Sequence, residues 1–366
     1  MSALFSPARL GKLDASNRIV VAPMCQYSAM DGIVQPWHEQ HLGHLANSGA
    51  GILTMEATAV EPNGAITHGC LGLWNDEQAL ALQQMIERLR SFAELPIGIQ
   101  LAHAGRKASA HAPWNGGQPL SAAEGAWQTF APSPIAWGNG WPLPSALDES
   151  GIARIVQAFV QAAVRADRAG LDFVELHSAH GYLMHAFLSP IANQRDDRYG
   201  GSLENRLRFP LEVVRAVRAV WPTTKTFGLR INGTDWLEGG WTVEDAIVYG
   251  RRLLDAGVDY LSVSSGGARG GIAIKLEPGY QVPFAEAARK ALGCPIICAG
   301  LIADPQHAEA IVAGGQADFV ALARALLDDP RWPVRAARRL SATAELPHQY
   351  QLAAPGRWPL AVKAAV

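Results

Sequence analysis

Short apolar runs rich in β-branched residues alternate with longer stretches of helical period along almost the whole chain. This alternation is typical of repeated βα units, in which helices cover a parallel sheet. The candidate strands are 18–21, 51–56, 96–101, 172–177, 226–232, 260–264, 295–299 and 318–322. Their number is the one that a closed (β/α)8 barrel requires.

The candidate helices fill the gaps between these strands, and several end at a glycine or a proline. They cover 37–48, 77–92, 149–169, 202–220, 243–256, 283–292, 304–313 and a last set from 323 onward. Barrels of about 250 to over 400 residues form one domain, so we predict a single α/β TIM-barrel domain over residues 1–366. The segment 10–20, with turn residues at 14–17, predicts an N-terminal β-hairpin that closes the bottom of the barrel.

Two long loops interrupt the alternation: 102–145 is rich in Pro, Gly and Trp, and 265–282 is rich in Gly. Loops that follow strands form the face of a barrel that carries the active site, and long irregular loops are usually functional. We therefore expect the active site under these two loops. The polar residues that predicted strand ends bring to this face are Cys25, Tyr27, Glu56, Gln100, His103, His177, His180, Tyr182, Arg230 and Arg324.

Charge and cysteine content limit the classes of partner and location. The formal net charge is −2 and no dense Lys/Arg stripe is present, so neither a nucleic acid nor an anionic membrane surface is an expected partner. The first residues carry no signal pattern, and no apolar run approaches the ~18 residues of a membrane span. The four cysteines form no C-x-x-C pair. These features predict a cytoplasmic protein with reduced thiols.

The segment 177–182 places His177, His180 and Tyr182 directly after the fourth predicted strand. Two imidazoles at this spacing can bind one oxygen or an anion, which is the favoured interpretation, with a structural role or a metal site as alternatives. Zinc needs a third protein ligand, and none stands at partner spacing, so we predict no metal site. The Tyr182 phenol, with an ordinary pKa near ~10, can donate a proton.

A phosphate site is predicted from the loops that close the barrel. Arg324 follows the last strand and precedes a helix, where backbone N–H groups favour a phosphate. We expect the Gly-rich loop 265–267 to complete this site, which is typical of the seventh and eighth βα loops. The sequence has no G-x-G-x-x-G and no Walker loop. A phosphate site at a barrel mouth without these motifs suits FMN.

Four motifs together are diagnostic: PMCQY at 23–27, HSAHGY at 177–182, LSPIAN at 188–193 and RYGGSLENR at 198–206. With them the chain resembles the Old Yellow Enzyme family, whose members are (β/α)8-barrel flavoenzymes. Cys25 in place of the threonine of yeast-type enzymes, and His180 in place of asparagine, resemble the bacterial branch of xenobiotic reductases and thermophilic-like ene-reductases.

The resemblance implies which residues hold FMN. Gln100 would bond the pyrimidine edge, Arg230 would offset negative charge near N1 and O2 of the reduced flavin, and Arg324 would take the phosphate. Cys25 would lie near the N5/O4 edge and tune the flavin potential. Ala323 replaces a glycine of many relatives but keeps a small side chain. The complete implied set is Ala22, Pro23, Met24, Cys25, Ala57, Gln100, Arg230, Ala323 and Arg324.

The resemblance also implies a reaction. His177 and His180, helped by Tyr27, would bind the oxygen of an α,β-unsaturated carbonyl or of a nitro compound or nitrate ester. Hydride would pass from the flavin to the β-carbon while Tyr182 protonates the α-carbon. NADPH or NADH would reduce the flavin first, in a ping-pong cycle.

Two alternatives and one question of assembly stay open at this point. The chain could be a flavin-based redox sensor that uses Cys25, or a metal-dependent barrel hydrolase that uses His177 and His180. The resemblance further implies a homodimer or homotetramer. Relatives reach into a neighbouring active site with a C-terminal residue, for which Arg357 and Trp358 are the candidates.

Overall fold

The computed structural model describes residues 1–354 and 357–358. Its strands are β1 (Ala8–Leu10), β2 (Leu13–Ala15), β3 (Ile19–Val21), β4 (Ile52–Ala59), β5 (Ile97–Ala102), β6 (Phe130–Ala131), β7 (Ser145–Ala146), β8 (Phe173–Ser178), β9 (Thr226–Asn232), β10 (Tyr260–Ser264), β11 (Ile296–Cys298) and β12 (Phe319–Leu322). Its helices are α1 (Pro36–Ala46), α2 (Asp76–Arg90), α3 (Glu149–Arg168), α4 (Leu183–Leu188), α5 (Leu203–Val220), α6 (Val243–Asp255), α7 (Val282–Leu292), α8 (Pro305–Ala313), α9 (Arg324–Asp328) and α10 (Trp332–Arg339).

Eight strands close into one barrel in the order β3, β4, β5, β8, β9, β10, β11, β12, and neighbouring strands run parallel. The predicted (β/α)8 fold is thereby confirmed. Every residue of β4 is buried. Strands that are covered on both faces have largely apolar sequences, so their positions could be predicted from the sequence.

Helix α4 is one of the elements that the sequence did not predict, together with the two-residue strands β6 and β7 of the long loop after β5. It begins directly after Tyr182 and ends at Leu188, and all six of its residues are buried. A helix of this length has fewer than two turns, so its apolar residues show no readable period.

The N-terminal hairpin is present, but the predicted turn at 14–17 is wrong. Strands β1 and β2 pair antiparallel, with Leu10 opposite Leu13, so the chain turns at Gly11 and Lys12. Gly11 has φ +62°, and a Cβ there would lie 2.7 Å from the Cβ of Asp259. Only glycine combines this backbone conformation with so close an approach. The Lys12 amide donates to Oγ1 of Thr226 at 2.8 Å, which ties the turn to β9.

The barrel interior changes from apolar to polar along its axis. At the bottom, Leu10 of the hairpin packs with buried side chains from the lower parts of the strands, among them Phe173, Tyr260 and Phe319. Above this layer the strands carry Gln100, Glu175 and other buried polar residues. Buried polar groups need partners, so this upper layer is where a site is expected.

Candidate active site

Four polar side chains from three neighbouring strands face one another in the upper layer of the barrel. Strand pairing sets Gln100 of β5 beside Glu175 of β8, and His177 of β8 beside Arg230 of β9. Glu175 and His177 are two residues apart on one strand, so they point to the same side of the sheet. Nε2 of Gln100 donates to Oε1 of Glu175 at 2.7 Å. The sequence singled out three of these residues and missed Glu175.

The two histidines after β8 form a hydrogen-bonded pair. The Ala179 amide donates to Nδ1 of His177 at 3.2 Å, so the proton of a neutral His177 ring lies on Nε2. That Nε2 lies 3.2 Å from Nδ1 of His180. His180 therefore accepts on Nδ1 and keeps Nε2 as its own donor. Burial, with Arg230 next in effect, lowers the pKa of both rings well below the ordinary histidine value, so both are neutral at physiological pH.

Tyr182 stands against the same pair. Its ring centroid lies 4.7 Å from that of His177, in an edge-on arrangement. Burial raises the pKa of the phenol well above its usual value. The hydroxyl therefore keeps its proton at physiological pH. Tyr182 and Ala57 line the same small cavity.

A buried contact between His185 and Asp235 supports the loop that carries these groups. Nδ1 of His185 accepts from the Gly181 amide at 3.0 Å, and its Nε2 lies 3.2 Å from Oδ1 of Asp235. Ser189 donates to the other carboxylate oxygen at 2.6 Å. His180 has φ +57°, a strained conformation for a non-glycine residue, which this support and a bond from its amide to Asn232 stabilise.

Lys107 is a further residue that the sequence analysis missed. Its Nζ donates to the backbone oxygen of His180 at 2.7 Å and lies 5.0 Å from the centroid of the Tyr182 ring. Burial lowers the pKa of this amine to about 8. The available signal was a lone lysine at the start of the long loop after the third barrel strand.

Cys25 and Tyr27 lie in the loop that follows β3, close to each other and to Glu56. Burial raises the pKa of the Cys25 thiol well above its ordinary value, and Glu56 adds to the effect. Glu56 accepts from the Gln26 amide at 3.1 Å and lies 3.4 Å from Nε2 of His38. Because thiolates are the reactive form, a thiol held protonated argues against a sensor that depends on Cys25.

His103 is a predicted strand-end residue that does not join this cluster. Its Nε2 lies 2.9 Å from Oε1 of Glu61, and its Nδ1 accepts from the Gly105 amide. Both ring nitrogens are thus used within the loop that follows β5.

The residues assigned to FMN by resemblance fit such a ligand. Nε of Arg230 donates to Ser264 at 3.3 Å, and within residues 1–354 and 357–358 its Nη atoms have no hydrogen-bond acceptor. The Ala22 amide donates to the Leu322 oxygen, so the ends of β3 and β12 adjoin. Positions 22, 57 and 323 carry alanine, the smallest side chain with a Cβ, and Arg324 is exposed at the first residue of α9.

The predicted place of the Gly-rich loop is wrong. Residues 265–267 follow β10, which is the sixth barrel strand, and not the seventh or eighth. Gly267 accepts from Nε1 of Trp137 at 2.8 Å, and a Cβ at Gly181 would lie 2.0 Å from its oxygen. Gly267 is therefore required for close packing against the His180 loop, whereas a Cβ at Gly266 would lie 2.8 Å from Cδ1 of Ile274. The seventh-strand loop instead contains Gly300, at φ +119°.

The part of the chain that the structure describes offers neither a candidate metal site nor a membrane-spanning helix. Between residues 1–354 and at 357–358, no group of three or more His, Cys, Asp or Glu residues could hold a metal ion. No helix in that part of the chain is long and apolar enough to cross a membrane.

Residues 3–343 match the model of the NADH:flavin oxidoreductase / NADH oxidase family. The chain is 41% identical over 355 residues to an NADPH dehydrogenase of Geobacillus thermodenitrificans, which covers 96% of this chain and 98% of that protein. An NADPH dehydrogenase of Listeria monocytogenes is 39% identical over the same length.

Solved structures with related folds include two reductases. Morphinone reductase superposes with a TM-score of 0.77 at 30% identity, over 94% of this chain and 91% of its own. A 2-naphthoyl-CoA reductase superposes with a TM-score of 0.81 at 27% identity. The match covers 92% of this chain but 52% of the naphthoyl-CoA reductase, so this chain spans about half of that protein's length.

Proposed function

Because this chain belongs to the NADH:flavin oxidoreductase / NADH oxidase family, whose Old Yellow Enzyme motifs it carries, we propose that it is an ene-reductase. It is an oxidoreductase that uses FMN and a nicotinamide reductant, as the resemblance implied. The proposed reaction is the reduction of activated C=C bonds in α,β-unsaturated carbonyl compounds. The observation that carries this proposal is the cluster of His177, His180 and Tyr182, in which the ring centroid of His177 lies 5.0 Å from that of His180 and 4.7 Å from that of Tyr182.

Bound FMN would supply hydride taken from NADPH or NADH in an earlier half of a ping-pong cycle. The fit of the protein to FMN rests on Ala22, Pro23, Met24, Cys25 and Ala57 on one side of the mouth. Gln100, Arg230, Ala323 and Arg324 complete the proposed binding set.

The two histidines would bind the substrate oxygen. Neutral His180 offers its Nε2–H, and neutral His177 carries an Nε2–H for which the substrate oxygen would compete with Nδ1 of His180; such donors stabilise an oxygen more strongly as negative charge develops on it. A neutral imidazole donates without giving up its proton, so the oxygen is polarised and not protonated. Tyr27 would help to orient the substrate, and its ring packs edge-on against Trp114 at 5.6 Å.

Tyr182 would supply the proton that completes the reduction. Its phenol keeps its proton because burial raises its pKa, and it lies against His177. A donor at that place can protonate the α-carbon as hydride reaches the β-carbon. Lys107 near the ring face and the His180 carbonyl would hold this arrangement in place.

The substrate range is proposed from the neighbours and the site chemistry. Morphinone reductase and 2-naphthoyl-CoA reductase are named for substrates with activated double bonds next to a carbonyl. Enones are therefore the first class to test, with nitro compounds and nitrate esters next, because their oxygens suit the same two donors. A metal-dependent hydrolase or a Cys25 sensor is not favoured by these relatives.

Assembly and location form part of the same proposal. We expect a homodimer or homotetramer in which Arg357 or Trp358 enters a neighbouring active site; both residues are exposed in the single chain. The cytoplasmic location is supported by four cysteines that are free thiols. Light scattering on the purified protein gives the assembly directly.

The test is NADPH oxidation under nitrogen with 2-cyclohexenone, a maleimide and a nitroalkene as acceptors. We expect one equivalent of saturated product per NADPH consumed. When the concentrations of NADPH and acceptor are both varied, double-reciprocal plots of the rate should give parallel lines, which are typical of a ping-pong cycle. An FMN-loaded enzyme that oxidises NADPH but reduces none of these acceptors would contradict the proposal.

A further inference from the structure

We propose that Glu175 is a positioning residue of the FMN site: it fixes the orientation of the Gln100 amide and offsets the positive charge of Arg230. This inference rests on the proposed function, because it assumes that Gln100 and Arg230 meet the pyrimidine ring. It goes beyond that function by assigning a role to a carboxylate that has no place in the proposed reaction.

Glu175 is held by donors on both of its oxygens. Oε1 accepts from Nε2 of Gln100 at 2.7 Å, and Oε2 accepts from the hydroxyl of Tyr260 at 3.1 Å. Glu175 and Gln100 are each 2% exposed, and Tyr260 is fully buried. A carboxylate buried inside a barrel is costly unless it is hydrogen-bonded and near a cation. The barrel supplies both.

The first bond decides which way Gln100 faces. An amide can be rotated so that its oxygen and nitrogen exchange places. The rotated form would set Oε1 of Gln100 against Oε1 of Glu175, and two acceptors repel each other. Glu175 therefore fixes Nε2 toward itself. Gln100 is left with Oε1 and its second Nε2 proton for a ligand, which is the pattern that the N–H and C=O groups of a pyrimidine ring require.

The charge of Glu175 acts on Arg230. Burial raises the pKa of the Glu175 carboxyl above its usual value, and the Arg230 guanidinium and the hydrogen bonds from Gln100 and Tyr260 oppose this shift by favouring the ionised form. Burial lowers the pKa of Arg230, and Glu175 is the charged group that opposes this shift most strongly. Inside a protein such charges are weakly screened. An ionised Glu175 therefore reduces the net positive field that Arg230 presents to a ring that gains electrons.

The bottom of the barrel offers a matched control. Asp318 is also a carboxylate on the barrel, but it lies at the opposite end, where it accepts from Arg289 and from the Ile296 amide. Asp318→Asn removes the same charge as Glu175→Gln without touching the mouth.

The experiment measures the midpoint potential of bound FMN by spectroelectrochemical titration, and the FMN dissociation constant by fluorescence. We expect Glu175→Gln to shift the two-electron equilibrium toward reduced FMN by about tenfold or more, which is about 30 mV to more positive potential. Asp318→Asn should leave the potential at the wild-type value. A Glu175→Gln potential equal to that of wild type, with FMN bound normally, would overturn the charge role.

Glu175→Asp tests the orientation role separately, and does so even if Glu175→Gln fails to fold. The charge is kept but its carboxylate is withdrawn from Gln100. We expect a potential near that of wild type together with FMN binding at least about tenfold weaker, whereas unchanged FMN affinity would overturn the orientation role. If the wild-type protein binds no FMN, the proposed function fails. If wild type, Asp318→Asn and both Glu175 variants share one midpoint potential and one FMN affinity, only the inference about Glu175 fails.

Discussion

Nε2 of His177 lies 3.2 Å from Nδ1 of His180, so the two imidazoles form one hydrogen-bonded unit at the end of β8. His177 donates its Nε2–H to Nδ1 of His180, so the proton of a neutral His180 ring lies on Nε2. A substrate oxygen must therefore compete with His180 for the His177 proton or displace the pair slightly. The two rings are expected to act together, and their removal is not expected to be additive.

The pair predicts the effect of removing either ring. His177→Ala and His180→Ala should each slow the reoxidation of reduced enzyme by 2-cyclohexenone by about 10²–10³-fold, the usual cost of one lost donor to a developing oxyanion. Stopped-flow measurement of the flavin band gives this rate. His44→Ala, at an exposed histidine in the last turn of α1, serves as the control and should react at the wild-type rate. Variants of the pair that stay within about threefold of wild type would exclude the oxygen-binding role.

Tyr182 predicts a change confined to one half of the cycle. Tyr182→Phe removes the proton donor but keeps the ring that packs on His177, so reoxidation by the enone should slow by about 10²–10⁴-fold. Reduction by NADPH needs no such proton and should keep its rate. Measuring the two half-reactions separately checks this, and equal slowing of both would indicate a structural role instead.

His41 predicts how folding stability depends on pH. Burial lowers the pKa of its imidazole to about 4, with His38 and His44 adding to the effect. Above the unfolded value of about 6.5 the ring is neutral in both states and stability does not change. Between pH 6.5 and 4 the unfolded chain takes up the proton first, so stability falls as pH falls. Urea unfolding at pH 7 and pH 5 should show a smaller loss for His41→Gln than for wild type; equal losses would contradict this assignment.

Cys25 is predicted to be an unreactive thiol. Because burial raises its pKa, iodoacetamide at pH 7.5 should modify it at least about tenfold more slowly than a free cysteine, as peptide mapping would reveal. Cys25→Ser should keep turnover with enones, although the flavin potential can shift. Rapid alkylation of Cys25 together with full turnover of the Ser variant would instead revive the sensor interpretation.

The sequence predicted the barrel because each strand is a separate apolar run, bounded by glycine, proline or other turn residues. Strand β9, for example, spans the predicted range. The residues of the site were found where strand ends carry polar groups, as with His177 and Arg230. The supporting residues were missed because their partners are distant in the chain: Glu175 bonds Gln100 across 75 positions, and Ser189 bonds Asp235 across 46.

The errors have equally local causes. The hairpin turn was placed at 14–17 on composition, whereas the one residue that must adopt a left-handed conformation is Gly11. The composition of 265–267 predicts a phosphate site, but Gly267 is needed for close packing against His180 and Gly266 for close packing against Ile274. A glycine in a sequence indicates that another group can pack closely against the backbone, but it does not show whether that group is a ligand or another part of the chain.

The central claim is that one site passes electrons from NADPH through FMN to an activated double bond. The most direct test is an anaerobic titration of the purified holoenzyme in which the visible flavin band is followed while NADPH and then 2-cyclohexenone are added. The account predicts that NADPH bleaches the band and that the enone restores it with formation of cyclohexanone. A colourless protein that takes up no FMN, or a bleached band that the enone leaves unchanged, would contradict it.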